Sequence, residues 1–276
     1  MSIFQSFLLG ALQGVGEFLP ISSSGHLAVI QNLFSLDNVP LLFDVFLHLS
    51  TLVAVLLFFR KKIYSLILVL WRWLRRKSLP EDSSSLQMII ALLIGTFITG
   101  IFGIFLSDLI PNISIKMISI GFIVTALFLL LADYIEGRRL KKNTESESTS
   151  KNNKTVTAFQ GLCIGFAQGI GVLPGISRSG STIAGALLCG VDRKTAGEFS
   201  FLLSIPAILG AFIFELDELD TLGTMLGFTP LFVGCLSAFI FGFISLSILM
   251  KIIRNGKLGW FAVYLIPVGI IGLLFL

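Results

Sequence analysis

Apolar residues run through this chain in long blocks. A helix that crosses a bilayer needs roughly 20 apolar residues. Six blocks have that length, at residues 41–59, 86–106, 117–135, 199–216, 229–250 and 258–276. Two further apolar stretches are broken. Each runs into a cluster of Gly, Pro and Ser and resumes for only about 12 apolar residues, too few to cross. Non-helical backbone at membrane depth is tolerated only where protein buries it or it lines a wet cavity. Residues 2–34 and 159–191 are therefore predicted to be re-entrant helix–loop–helix hairpins.

The composition fits that pattern. The chain has 276 residues, 55% of them hydrophobic and 13% charged, with a mean hydropathy of +0.94. Soluble domains carry about 25% charged residues, so an integral membrane protein is expected and a nucleic-acid partner is not. No cleavable signal peptide is read, because the N-terminus lacks a basic stretch and Gln13 and Glu17 interrupt its first apolar run. Cys163, Cys189 and Cys235 lie in apolar segments without metal-ligand spacing and are expected to be small buried hydrophobes.

Charge placement then orients the blocks. Residues 60–77 hold seven Lys and Arg, 138–154 hold six, 251–257 hold three, and Arg193 and Lys194 add two more. The positive-inside rule puts all of these in the cytoplasm. The opposite connections, near Asp108 and at residues 215–220, are acidic or short. Trp71, Trp73 and Trp260 suit an interfacial belt. The first hairpin then enters from outside and the second from the cytoplasm, with three spans between them. The expected architecture is an all-α membrane protein built as an inverted-topology repeat. Its halves are 1–137 and 158–276, each one hairpin plus three spans, joined by a polar linker at 138–157 that reads as a flexible tether.

The two broken stretches are related copies. QGVGEFLPISSSGHL begins at Gln13 and QGIGVLPGISRSGST at Gln168, 155 positions later. Seven aligned positions match: Gln13/Gln168, Gly14/Gly169, Gly16/Gly171, Ile21/Ile176, Ser22/Ser177, Ser24/Ser179 and Gly25/Gly180. Where the copies differ they divide the chemistry. The first has Glu17, Ser23 and His26; the second has Val172, Arg178 and Ser181. That division suits one composite site assembled from two halves.

Each candidate residue has a reason. Glu17 is an ionisable group in an apolar stretch, costing at least ~2.5 kcal/mol if it faced lipid. Gln13 is one turn earlier, on the same helical face. Ser22, Ser23 and Ser24 precede a helical run; at least one is expected to be only an N-cap, while the helix start is also a phosphate site. His26 is placed to orient or deprotonate a serine hydroxyl. Arg178, between Ser177 and Ser179, offers a permanent charge and a bidentate fork for phosphate, and Thr182 adds a hydroxyl. Asp44, His48 and Glu198 are read as supporting or packing residues around that site.

These motifs resemble the bacterial undecaprenyl-diphosphatases, the bacitracin-resistance family. QGVGEFLPISSSGHL is similar to the family's (E/Q)xxxE segment with its following Ser, Gly and His. PGISRSGST is similar to the family's PGxSRSxxT motif, and EFSFLLSIP at residues 198–206 to its next signature. The resemblance runs over essentially the whole chain. It implies hydrolysis of undecaprenyl diphosphate, recycling the lipid carrier for cell-wall synthesis, with a divalent cation, Mg2+ or Ca2+. It also implies a site opening to the outer face of the bacterial plasma or inner membrane, and bacitracin resistance on overproduction. The positions carried over are Gln13, Glu17, Ser23, His26, Ser177, Arg178, Ser179 and Thr182, with Glu17 and Gln13 as the cation's side chains. Position 13 is Gln where some members have Glu. The expected partners are the polyprenyl diphosphate lipid and the bilayer; a homodimer is left open.

Two functions of different class fit the pattern. One is a lipid-diphosphate phosphatase. The other is a secondary transporter or lipid flippase, since broken helices in inverted repeats are a transporter architecture. The serine and histidine beside an arginine favour the enzyme. Phosphate release without a gradient separates the two.

Overall fold

The computed structural model describes every residue except 37–38, 40, 108, 111–112, 146–154, 217–226 and 257. Among the described residues the chain is helical, with no strand. The first hairpin is α1 (Ile3–Phe18) and α2 (Ser23–Leu33). It leads into α3 (Leu41–Phe58), α4 (Arg60–Leu74), α5 (Ser83–Leu106) and α6 (Ile115–Glu145). The second hairpin is α7 (Ala158–Ile170) and α8 (Arg178–Leu188). It is followed by α9 (Arg193–Phe214), α10 (Phe228–Asn255) and α11 (Trp260–Phe275).

Five of these helices are long and apolar enough to cross a membrane: α3, α5, α6, α9 and α10. This is a multi-pass membrane protein. The sixth expected span corresponds to α11, which has 16 residues. Many large apolar side chains point outward, among them Leu93, Phe97, Phe105, Phe159, Phe228 and Phe275. In water such a surface would drive association; against lipid it is the expected exterior. Trp71, Trp73 and Trp260 are all exposed.

Two local readings change. The basic stretch 60–77, which the span pattern leaves as a connection, is mostly helical: α4 occupies most of it, with Tyr64, Ile67, Trp71 and Trp73 exposed. Arg72 pairs with Asp82 and ties the end of α4 to the start of α5. The linker does not begin as a tether, because α6 continues through Glu145 and Arg139 donates to the carbonyls of Leu187 and Leu188 at the end of α8. Residues 146–154 of that linker, residues 217–220 of the acidic loop, and Asp108 lie outside the described residues. The three cysteines are free and only partly buried.

The hairpins start and turn alike. Ser2 and Gln5 form a capping box on α1, and Thr157 and Gln160 form one on α7, at the same 155-residue offset. Ser22 caps α2 through Gly25 N, and Ser177 caps α8 through Gly180 N. Each hairpin then packs on a span from the other half of the chain: α1 on α10, and α7 on α5. Glycines permit both contacts. A Cβ on Gly14 would lie 2.6 Å from the Ala238 carbonyl, and one on Gly165 2.6 Å from Gly95 Cα. Small residues let helix backbones approach closely inside a membrane. The first hairpin turn is stiffened by Phe18, buried against Phe201 at 5.6 Å between rings.

Candidate active site

The turns of the two hairpins meet. Ser179 Oγ donates to the Leu19 carbonyl at 3.4 Å. A Cβ on Gly25 would come within 2.9 Å of Gly175 Cα, and one on Gly180 within 3.2 Å of the Pro20 side chain. The contact needs glycine at 175, whose φ is +91 and whose added Cβ would strike the Ile118 carbonyl. Helix α6 backs the second turn, with Thr125 Oγ1 accepting from Ser177 N at 3.0 Å.

At this junction Glu17 gathers groups from four helices. Its Oε2 accepts from Gln13 Nε2 at 3.0 Å and from Ser23 Oγ at 2.8 Å. His48 Nδ1 lies 3.0 Å from the same oxygen and 2.8 Å from Gln13 Nε2. The ring either donates to the carboxylate or accepts from the amide. Arg178 Nη2 stands 3.6 Å from Oε1, an ion pair without hydrogen-bond contact. Gln13 is fully buried, and its Oε1 accepts from no described residue. The structure thus brings Gln13, Glu17, Ser23 and Arg178 together, and His48 joins them directly instead of standing behind them.

Ser22 explains how Ser23 is presented. It is a non-glycine residue at φ 67, ψ 88, a left-handed conformation costing roughly 1–2 kcal/mol. Such strain persists where the surroundings over-determine it. His26 Nδ1 donates to the Ser22 carbonyl at 2.8 Å, while its Nε2 accepts from the Tyr264 hydroxyl at 2.8 Å. Tyr264 stacks on the ring and Phe122 packs at 4.7 Å. Both nitrogens of His26 are therefore engaged away from the Ser23 hydroxyl. Ser24 is partly exposed in the first turn of α2.

On the second hairpin, Ser177 and Ser179 lie 3.3 Å apart through their hydroxyls. Thr182 is buried, bonded to the Arg178 carbonyl at 2.9 Å and to Ser200. Asp44 accepts from Gln31 Nε2 at 2.9 Å, clamping α3 to α2 one turn from His48. Glu198 is not drawn into the cluster; it faces Lys194 on its own helix at 3.9 Å.

Glu17, Gln168, Arg178, Thr182, Ser200 and Ser204 surround a small cavity at this junction. A family profile described as "Bacitracin resistance protein BacA" matches residues 6–271. The chain belongs to that family. A protein of Treponema denticola named undecaprenyl-diphosphatase is 50% identical over 272 residues, covering 98% of this chain and 96% of that protein. A Borrelia recurrentis protein of the same name is 37% identical, covering 97% and 96%. One from Carboxydothermus hydrogenoformans, again so named, is 36% identical over 98% and 96%.

Sequence reasoning passed over several groups that the fold delivers. Tyr264, 238 positions from His26, carries no motif. Ser200 and Ser204 reach the cavity because α9 packs against α8. Gln168 was visible as the mate of Gln13 in the repeated passage, which was the available signal.

Proposed function

We infer that this chain hydrolyses undecaprenyl diphosphate to undecaprenyl phosphate and inorganic phosphate, and so recycles the lipid carrier used in cell-wall synthesis and confers bacitracin resistance. The observation that carries the chemistry is the 2.8 Å hydrogen bond from Ser23 Oγ to Glu17 Oε2, with Arg178 at the other carboxylate oxygen. A hydroxyl paired with a base beside a cation is the arrangement of an activated nucleophile. The relatives described above are named as diphosphatases and none as a transporter, so the transport reading is not carried forward.

In this reading the diphosphate draws Arg178 off its loose pairing with Glu17. The starts of α2 and α8 offer backbone N–H groups without helical acceptors. Ser23 Oγ attacks the terminal phosphorus, and its proton passes to Glu17 Oε2. The Oγ–P bond forms as the anhydride P–O bond breaks, and the electron pair leaves on undecaprenyl phosphate, which takes the proton from Glu17 and so returns Glu17 to the carboxylate. Water then attacks the phosphoserine, gives its proton to the site, and restores the Ser23 hydroxyl as inorganic phosphate leaves. Arg178 neutralises charge on the transferred group, where most of the catalysis of such a step lies. Ser177, Ser179 and Thr182 shape its surroundings. His26 acts through the turn, holding the Ser22 carbonyl and thereby aiming Ser23. Asp44 and His48 hold α3 against the site.

A divalent cation, Mg2+ or Ca2+, suits the donor set. Hard cations take carboxylate and amide oxygens, and Glu17 with the unpartnered Gln13 Oε1 supplies one of each. No cluster of three His, Cys, Asp or Glu occurs among the described residues, so substrate oxygens and water would complete the shell. Bound there, the ion would offset charge on the diphosphate.

The reading includes the inverted-topology repeat, with halves 1–137 and 158–276 joined by 138–157, re-entrant hairpins, and a site open to the outer face of the bacterial plasma or inner membrane. The paired capping boxes, the reciprocal packing of α1 on α10 and α7 on α5, and the placement of the basic residues support it. So does a shared turn geometry: a Cβ on Gly16 would lie 3.1 Å from Ser23 Cα, and one on Gly171 2.9 Å from Arg178 Cα.

Purified protein in detergent, supplied with undecaprenyl diphosphate and no ion gradient, should release phosphate. Ser23→Ala should remove most of that turnover while keeping the wild-type melting temperature. Turnover near wild type in Ser23→Ala would reduce Ser23 to a helix-terminal residue; no release by the wild type would end the phosphatase reading.

A further inference from the structure

Gln168 is the mate of Gln13 in the repeated passage, yet its neighbours differ because Val172 stands where the first copy has Glu17. It is fully buried. Its Nε2 donates to Thr99 Oγ1 at 3.1 Å and lies 3.5 Å from the Leu203 carbonyl. Thr99 spends its own proton on the Gly95 carbonyl at 2.8 Å. Turning the amide over would set oxygen against oxygen on that side, so its orientation is determined. Oε1 then accepts from no described residue, and Gln168 lines the cavity shared with Glu17 and Arg178.

The cavity has a volume of about 10 Å³, room for one water and not for a phosphate. Its chemistry agrees with its size. Ser204 donates to the Phe201 carbonyl at 2.8 Å, and Thr182 bonds to the Arg178 carbonyl and Ser200. Those hydroxyls are engaged, whereas Gln168 Oε1 needs a donor. A phosphate dianion offers only acceptors; water offers two protons.

We propose that Gln168 is a positioning residue that holds the hydrolytic water of the second step. The proposal rests on Ser23 as the nucleophile. One water proton goes to Gln168 Oε1 and the other to Glu17, whose Oε2 was the partner of Ser23. A lone pair is left facing the phosphoserine. As the water oxygen bonds to phosphorus, its proton passes to Glu17, the P–Oγ bond breaks, and Glu17 returns that proton to the Ser23 oxygen as phosphate forms. The two halves thereby divide the reaction: the first hairpin carries the nucleophile, and the second supplies the charge and the water.

The test is acid quenching of the purified full-length protein during turnover of undecaprenyl diphosphate, with phosphate on Ser23 read by mass spectrometry. Gln168→Met keeps the side chain's length and removes Oε1. It should lower kcat by about 10²-fold, the loss expected of a misplaced reactant, and should accumulate phospho-Ser23 while the first-turnover burst persists. Thr99→Val removes the partner that orients Nε2 and keeps Oε1; it should lower kcat by less than Gln168→Met does and should likewise accumulate phospho-Ser23. It also covers the case in which Gln168→Met fails to fold, since a large loss in Thr99→Val without phospho-Ser23 would assign Gln168 to helix packing and overturn the proposal. So would wild-type turnover in Gln168→Met, or slow turnover without phospho-Ser23. If Ser23→Ala remains active and no phosphoserine forms in any chain, the serine route itself fails, and this proposal fails with it.

Discussion

Glu17 is held by Gln13 from its own helix, Ser23 from α2, His48 from α3 and Arg178 from α8. A carboxylate so placed is hydrogen-bond acceptor and counter-ion, and in the proposed reaction the base, which is why the residues around it differ in what a substitution would do. Arg178→Lys keeps the charge but replaces a planar fork with a point charge. If Arg178 grips two phosphate oxygens as charge develops, kcat and kcat/KM should fall together by roughly 10²-fold. A change confined to KM would mean that it only gathers anions, and an early melt with intact kinetics would mean a structural partner of Glu17. At this scale the chain was informative where residues sit near one another in sequence. The spacing of Gln13 and Glu17 on one helical face was legible, and so was Arg178 among serines. His48 in direct contact, and Tyr264 on His26, were not, since each contact is made only when separate helices pack.

The elements were legible where apolar length decides. Both hairpins begin and end within a few residues of expectation, because Gly, Pro and Ser interrupt an apolar run that has no other reason to break. Helix α4 was missed. Basic clusters at both of its ends placed residues 60–77 among the cytoplasmic connections, while its apolar face, with Leu66 and Val69 buried, emerges only against α3 and α5. The close crossings of α1 on α10 and α7 on α5 depend on glycine. Gly165→Ala should push α7 from α5 and destabilise by roughly 1–3 kcal/mol, as overpacking does. Gly100→Ala, on α5, meets no atom within 4 Å, and should leave stability unchanged or raise it by up to about 1 kcal/mol. Thermal melts in detergent measure both. Equal effects would show that the crossing does not limit stability.

For the whole molecule, the proposed orientation rests on the basic residues and the proposed facing of the halves on the repeated passages. In a chain freed of Cys163, Cys189 and Cys235, a membrane-impermeant thiol reagent on intact cells should label Ser107→Cys and spare Lys77→Cys, both at exposed positions. The reverse pattern would invert the topology. The central claim is that two distant hairpins form one catalytic unit, and a double-mutant cycle on phosphate release addresses it most directly. Glu17→Gln and Arg178→Lys are each expected to lower kcat/KM steeply. Residues that act as a unit are strongly non-additive, so the double variant should be little worse than the more damaged single one. Losses that multiply, with the double variant falling by the product of the two single effects, would show two independent contributions and contradict a single composite site.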